Sequence, residues 1–173
     1  MNDQCRFDAT EFTTAPHQTE GWIAFRESPE KVFARIADHA ALGDWVPFVQ
    51  AVTVSHPRTL APGESTIGTA RHITMKGGLT IVETVVYWHP PHCYAYKAEG
   101  THLPFKNYLG LFQVEPINDQ SGKFIFREYF DGAGRVGEAL LPHGVAAVFH
   151  KALGNLARLI GGTEYAMTAV SRA

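Results

Sequence analysis

The chain has few of the features that announce a function. Among its 173 residues there are only two cysteines, Cys5 in a polar leader and Cys93 inside a strand-like run. Two such positions make no disulfide framework, and they are expected to be free thiols in a reducing cytosol. No apolar run reaches the length of a transmembrane helix, and residues 1–20 lack the basic-then-apolar order of a signal peptide. The protein is therefore expected in the cytoplasm, without stable membrane insertion. Blocks of like charge are missing too: the formal net charge is −2, with both signs interspersed. That argues against nucleic acid or an anionic membrane as the main partner.

Catalytic signatures are equally sparse. There is no Gly-x-Ser-x-Gly elbow for a nucleophilic serine. Gly132-x-Gly134-x-x-Gly137 has the glycine spacing of a dinucleotide fingerprint. It follows a strand in an antiparallel series and lacks the βαβ setting, so it reads as a flexible turn. Among nine histidines, His89-x-x-His92 is the one close pair. It straddles Pro90–Pro91 and has no third ligand nearby, so neither a metal nor another cofactor is expected.

What is present is periodicity. A chain of this length suits one domain with a sizeable core. Trp22–Phe25 is a short β-prone run. Ser28–Pro29–Glu30 is then a helix start, with Val32, Phe33 and Ile36 as the buried face. A second helical turn covers Ala41–Trp45 and stops at Pro47. The period then changes to two, giving strands over Val52–His56, Thr69–Met75, Thr80–Trp88, Cys93–Glu99, Tyr108–Val114 and Lys123–Phe130. Short turns join them, which means antiparallel pairing. Val145–Ile160 closes the plan as an amphipathic helix, loosened upstream by Pro142–Gly144 and stopped by Gly161–Gly162. A lone helix of that length is marginal in water, so its apolar face must lie on the sheet.

That order, with its punctuating residues, resembles the START-like helix-grip superfamily. It includes lipid-transfer domains, the birch-pollen-allergen family, plant abscisic acid receptors and polyketide cyclase/dehydrase-like proteins. The residues carrying the likeness are Ser28-Pro29-x-x-Val32-Phe33, Asp38, Trp45-x-Pro47, Pro62-Gly63, Gly68-x-x-Arg71, Glu83, Pro90-Pro91, Tyr94 and Tyr108-x-Gly110. The resemblance implies an α+β fold. A curved seven-stranded antiparallel sheet wraps a long C-terminal helix, two short helices follow the first strand, and a ligand cavity lies between sheet and helix. Residues 1–20 are then a polar arm, and 21–173 a single START-like domain. Lys76-Gly77-Gly78-Leu79 and Thr101–Tyr108 resemble the gate and latch of the hormone receptors. The first loop is shorter, however, and Gln50 falls where a receptor has its carboxylate-binding lysine, so hormone binding is not implied.

Alternation proposes which side chains face inward. The inward set is Arg71, Ile73 and Met75; Ile81, Glu83, Val85 and Tyr87; Tyr94 and Tyr96; Tyr108 and Phe112; and Phe126 and Glu128. Cys93, Ala95, Leu109 and Leu111 take the outward parity. The helix adds Phe149, Ala152, Leu153 and Leu156 as the far wall. Arg71, Glu83 and Glu128 stand out, because an ionised group among apolar side chains is costly unless paired. Arg71–Glu83 is either an ion pair that fixes strand register or, with Tyr96 and Tyr108, a set of groups aimed at a ligand's oxygens. Glu128 sits either in that set or at a wet rim.

The expected function is binding of a small hydrophobic or aromatic ligand with one polar end. The alternative is an enzyme resembling polyketide cyclase/aromatases, in which Arg71 steadies an enolate and Glu83 or a tyrosine moves protons. A third reading is an interaction module with a vestigial cavity.

Overall fold

The computed structural model describes residues 5–60, 64–100, 105–132 and 134–170, the side chains of 134–138 excepted. Strand β1 (His17–Phe25) leads into helix α1 (Pro29–Ala37) and a 3₁₀ turn at His39–Asp44. Then come β2 (Val49–Ser55), β3 (Ala70–Met75), β4 (Thr80–His89), β5 (Cys93–Gly100), β6 (Phe105–Asn118) and β7 (Ser121–Gly132). Helix α2 (Gly134–Leu159) and strand β8 (Gly162–Ala169) follow. All eight strands form one antiparallel sheet in the order β2-β3-β4-β5-β6-β7-β1-β8. Register shifts in β1, β2, β4 and β6 mark bulges, which bend the sheet around α2. This is the expected helix-grip α+β architecture with one strand more.

The differences have local causes. β8 was not anticipated because it is an edge strand whose only fully buried side chain is Met167, which leaves almost no alternation to read. Helix α2 starts at Gly134, so of the glycines read as a turn Gly134 and Gly137 lie in its first turn while Gly132 ends β7, and Pro142 sits inside the helix. Proline removes one intrahelical hydrogen bond there. Packing of Leu141 and Val145 against the core holds the helix through that defect. In β4 the register with β5 shifts between Val85 and Tyr87, so that Tyr87 pairs with Ala95 and Trp88 with Tyr94. Tyr87 therefore faces outward rather than joining Val85, and Trp88 takes the inward place. Thr101–Pro104, including His102, and Pro62–Gly63 lie outside the described residues.

The second half of α2 settles directly on β1. Gly21 permits it: a Cβ there would stand 2.4 Å from both Leu153 Cδ1 and Met167 Sδ. Ala152, Leu153 and Leu156 are fully buried at this contact, with Ile23, Phe124 and Phe126 in the same core. Among the described residues no helix is long and apolar enough to cross a membrane.

The outer face of the sheet departs most from expectation. Cys93, Ala95, Leu109 and Leu111 are buried, although their parity points away from α2. They form a second apolar cluster under Cys5, Phe7, Ala9 and Phe12 of the N-terminal arm. The ring of Phe7 stacks on that of Phe12 at 5.0 Å and meets Tyr87 edge-on at 5.2 Å. Cys5 and Cys93 are disulfide-bonded, and neither is a free thiol. The free-thiol reading of both cysteines is overturned, and with it the cysteine argument for a reducing compartment. The cysteines lie 88 positions apart, and nothing local in either stretch signals that the arm folds back over the sheet.

Leu153→Ala is expected to lower stability by about 2–5 kcal/mol, since it opens a void where helix and sheet are closest. Equilibrium chemical denaturation measures this. A change within a few tenths of a kcal/mol would show that the contact relaxes freely.

Candidate functional site

Where α2 bears on β1 the core is solid; farther toward its N-terminal half it is not. A cavity of about 330 Å³ remains between that half, the middle of the sheet and the 3₁₀ turn. Leu141, Val145, Val148 and Phe149 wall it on the helix side. Trp45, Val46 and Val49 close the end beyond the turn.

Strand register gathers the polar groups. Arg71 on β3 pairs directly with Glu83 on β4, and Glu83 with Ala98 on β5. Two residues along β5, Tyr96 pairs with Gly110, Gly110 with Glu128, and Glu128 with Thr19 of β1. Two adjacent rows of the sheet therefore carry most of the site's polar side chains. Tyr108, one bulge away on β6, completes it. Gly110 is the space in this arrangement: a Cβ there would lie 2.5 Å from Tyr96 Cζ, so any larger residue displaces the Tyr96 ring.

Arg71 Nε donates to Glu83 Oε2, and both side chains are largely shielded, at 3% and 13% exposure. The guanidinium carbon lies 4.5 Å from the Tyr96 ring centroid. Burial works against the guanidinium charge, but Glu83 together with Tyr94 and Tyr96 holds the Arg71 pKa above its ordinary value. Its Nη1 has no hydrogen-bond partner among the described residues. A buried donor left unpaired costs roughly 1–3 kcal/mol. An acceptor atom brought into the cavity could remove that penalty.

Glu128 is completely buried. Tyr108 Oη donates to its Oε1 at 2.8 Å, and Thr19 Oγ1 donates to Oε2. Tyr96 Oη lies 3.5 Å from Tyr108 Oη, which extends the chain of hydroxyls toward Arg71. Burial raises the Glu128 pKa, the two hydroxyl bonds lower it, Glu83 raises it again, and the result is about 7. The magnitudes agree with this balance. Burying a carboxylate costs several kcal/mol, and two hydrogen bonds to a charged group return only about 1.5–3 kcal/mol each. Burial and the neighbouring carboxylates hold the Tyr108 and Tyr96 phenols well above their ordinary range, so both stay protonated donors. Behind Arg71, burial and the charges of Arg71 and His56 push His39 down to about 3. That imidazole is neutral, with Nε2 2.9 Å from Ser65 Oγ.

Of the residues singled out in the sequence, Arg71, Ile73, Met75, Ile81 and Glu83 line the cavity. So do Tyr96, Tyr108, Phe112, Glu128 and Phe149. Val85, Tyr94, Phe126, Ala152, Leu153 and Leu156 do not; they fill the packed core instead. Tyr94 is spent on structure, donating from Oη to the Ile36 carbonyl at 2.7 Å. Alternation missed Leu42, Trp45, Val46, Pro47 and Val49, because a 3₁₀ turn and a bulged strand start have no period to follow. Ala98, on the inward parity of Tyr94 and Tyr96, lines the cavity as well, whereas the sequence does not single out Phe105 on β6 or Leu141, Gly144, Val145 and Val148 on the helix as lining. Among the described residues, no three metal-ligating side chains are gathered at one place.

A family model described as polyketide cyclase / dehydrase and lipid transport matches residues 17–161. The fold is similar to that of the Zhui aromatase/cyclase from Streptomyces sp. R1128, with TM-score 0.65 and 13% identity over 84% of this chain and 94% of that one. It is similar to a Thermobifida fusca protein, with TM-score 0.66 and 22% identity over 83% of this chain and 93% of that one. The norcoclaurine synthase of Thalictrum flavum, solved as a point mutant with a transition-state analogue, gives TM-score 0.59 and 13% identity over 85% and 96%. No curated protein matches the sequence. At these identities the solved structures speak for the fold alone, whereas the family match runs from the first strand to the end of the long helix. The chain belongs to the polyketide cyclase / dehydrase and lipid transport family.

Proposed function

We propose that this protein binds a small, mostly apolar molecule with one polar end in the cavity between the sheet and α2. One observation carries the reading: the walls are almost wholly aliphatic and aromatic, while Arg71, Glu83, Tyr96 and Glu128 stand together on two sheet rows with Tyr108 at the bulge beside them. A volume of about 330 Å³ lies at the lower end of small-molecule sites, roughly 300–1,000 Å³. The ligand's oxygen lies toward Arg71 Nη1 and the tyrosine hydroxyls, and its apolar body toward Val49, Val145 and Phe149.

Glu128 favours a second reading, acid–base catalysis of the cyclase or dehydratase kind. A buried carboxyl that titrates near neutrality can take and return a proton under ordinary conditions. Glu128 is held by two neutral hydroxyls, whereas Glu83 is taken up in an ion pair with the Arg71 guanidinium. Arg71 and the tyrosines then stabilise the developing enolate oxygen.

Prodan, a neutral naphthyl ketone fluorophore, tests the binding reading. It is expected to bind the protein and raise its melting temperature, and Ala98→Phe, which fills the cavity from β5, is expected to weaken it about tenfold or more. Native mass spectrometry of gently purified protein should show a co-purifying small molecule. No such molecule, together with no stabilisation by any apolar probe, sinks the reading.

The Glu128 pKa gives a second test. Its folded value lies above the unfolded one, so between about pH 4.5 and pH 7 the folded state holds a proton that the unfolded state has lost. Stability therefore falls as pH rises through that window, by on the order of 3 kcal/mol for this group. Glu128→Gln removes that slope, and the wild-type-minus-variant difference from denaturation across pH isolates it from the opposite trend of His39. If the protein is an enzyme on a poly-keto substrate, its rate rises with a midpoint near pH 7 and the glutamine variant is inactive. Undiminished turnover in that variant excludes Glu128 as the base.

A further inference from the structure

The arm does more than cover an apolar patch. From Cys5, bonded to Cys93 at the start of β5, it runs across the outer face to the start of β6. There Thr13 Oγ1 donates to the Asn107 carbonyl at 3.1 Å. Asn107 has φ of +52°, a left-handed conformation that residues other than glycine adopt at a cost. It lies in the β6 bulge between Lys106 and Leu109, and the next residue is Tyr108, whose hydroxyl donates to Glu128.

The arm then enters β1 under equally close control. The Pro16 carbonyl accepts from Phe130 N at 3.3 Å, and Gln18 Nε2 donates to the Phe130 carbonyl at 2.8 Å. The register shift of β1 between His17 and Thr19 follows, and Thr19 is the other hydroxyl on Glu128. Both donors to the buried carboxylate are thus set by bulges, and the arm is bonded at or beside each of them.

Among the described residues little else holds the arm. Its regular structure is one 3₁₀ turn of three residues, and its apolar contacts are Cys5, Phe7, Ala9 and Phe12. So short a segment docks weakly on its own; a covalent link at its far end raises its effective concentration over the face. Cys93 is fully buried, while Cys5 is half-buried and lines a surface pocket with His92, Gln113 and Glu115, the side open to a reductant.

We propose that Cys5–Cys93 is a redox latch, which clamps the arm across the outer sheet face and so sets the polar end of the cavity from behind. A dithiol opens it: the Sγ–Sγ bond breaks, two electrons and two protons reach the protein sulfurs to give two thiols, and the dithiol closes to its own disulfide. A small-molecule disulfide reverses the step by thiol exchange. With the latch open, the arm leaves Ala95, Leu109 and Leu111, and Asn107 loses its bond from Thr13. Tyr108 and Thr19 are then held less firmly on Glu128. The consequence for the ligand rests on the binding reading above; the latch itself does not.

The full-length protein, as purified, tests both parts. Thiol titration without reductant should find no free cysteine, and dithiothreitol should release two. Hydrogen exchange should then show protection falling in residues 7–14 and 105–109, while the strands under the second half of α2 keep theirs. Prodan affinity should weaken about fivefold or more on reduction. Cys5→Ser should reproduce the reduced state under oxidising conditions and be insensitive to dithiothreitol, which separates the latch from any general effect of reductant. Two thiols that stay free even after treatment with oxidised glutathione, or an arm equally protected in both states, overturn the proposal. A changed arm with unchanged prodan affinity overturns the coupling to the cavity. Prodan bound by neither state counts against the ligand reading, while hydrogen exchange still decides the latch.

Discussion

A carboxylate with no access to water constrains everything around it. Glu128 sits on the inner face of β7 among Phe124, Phe126 and Phe130, all completely buried, and it keeps its place only because hydroxyls from two neighbouring strands reach it. Thr19 lies on one side and Tyr108 on the other, so β1 and β6 must both be in correct register with β7. A slip of one residue in either strand turns its donor to the opposite face and leaves the carboxylate uncompensated. The bulges in β1 and β6 adjust the two strands locally to that single acceptor.

The same demand explains why the interior is only partly filled. Gly110 leaves room for the Tyr96 ring, and Tyr96 in turn supports the guanidinium of Arg71. Gly21 does the opposite at the other end, drawing α2 onto β1 until nothing more fits. One helix therefore meets a tight contact and a void within its own length. The tight half fixes the position of the loose half. A rigid cavity needs both, because a helix packed loosely throughout would close over the space rather than frame it.

How much of this could be read in advance follows from where regular periods hold. Arg71, Glu83, Tyr96 and Glu128 sit on strands whose alternation is intact around them, and parity puts them on the inner face; Tyr108 keeps the parity of Gly110 and Phe112 although it lies in the β6 bulge. Tyr87 fails the same rule, because the bulge at Val86 adds a residue without altering the composition. Trp45 and Val49 line the cavity from a turn and a strand start, where no period exists to follow. Val85, Tyr94, Ala152, Leu153 and Leu156 have the right parity or helical face, yet depth in the core depends on how near Gly21 lets the helix come, which is a property of packing. Pro142 reads as a helix break and is overruled by burial of Leu141 and Val145, since tertiary contacts outweigh one lost hydrogen bond.

The outer face shows the remaining limit, and it alters how the sheet should be understood. Ala95, Leu109 and Leu111 look like an apolar lapse on a solvent-facing parity; under the arm they are a second small core. β5 and β6 are therefore sandwiched: cavity-lining aromatics on one side, and a disulfide-anchored segment on the other. A strand buried on both faces cannot yield to one side without pressing on the other. The bulge that presents Tyr108 to Glu128 carries Asn107 in a left-handed conformation, bonded to Asp131 of β7 through its side chain and to Thr13 of the arm through its carbonyl. The order of the polar end is thus a property of the whole sheet, maintained from the face that no ligand touches.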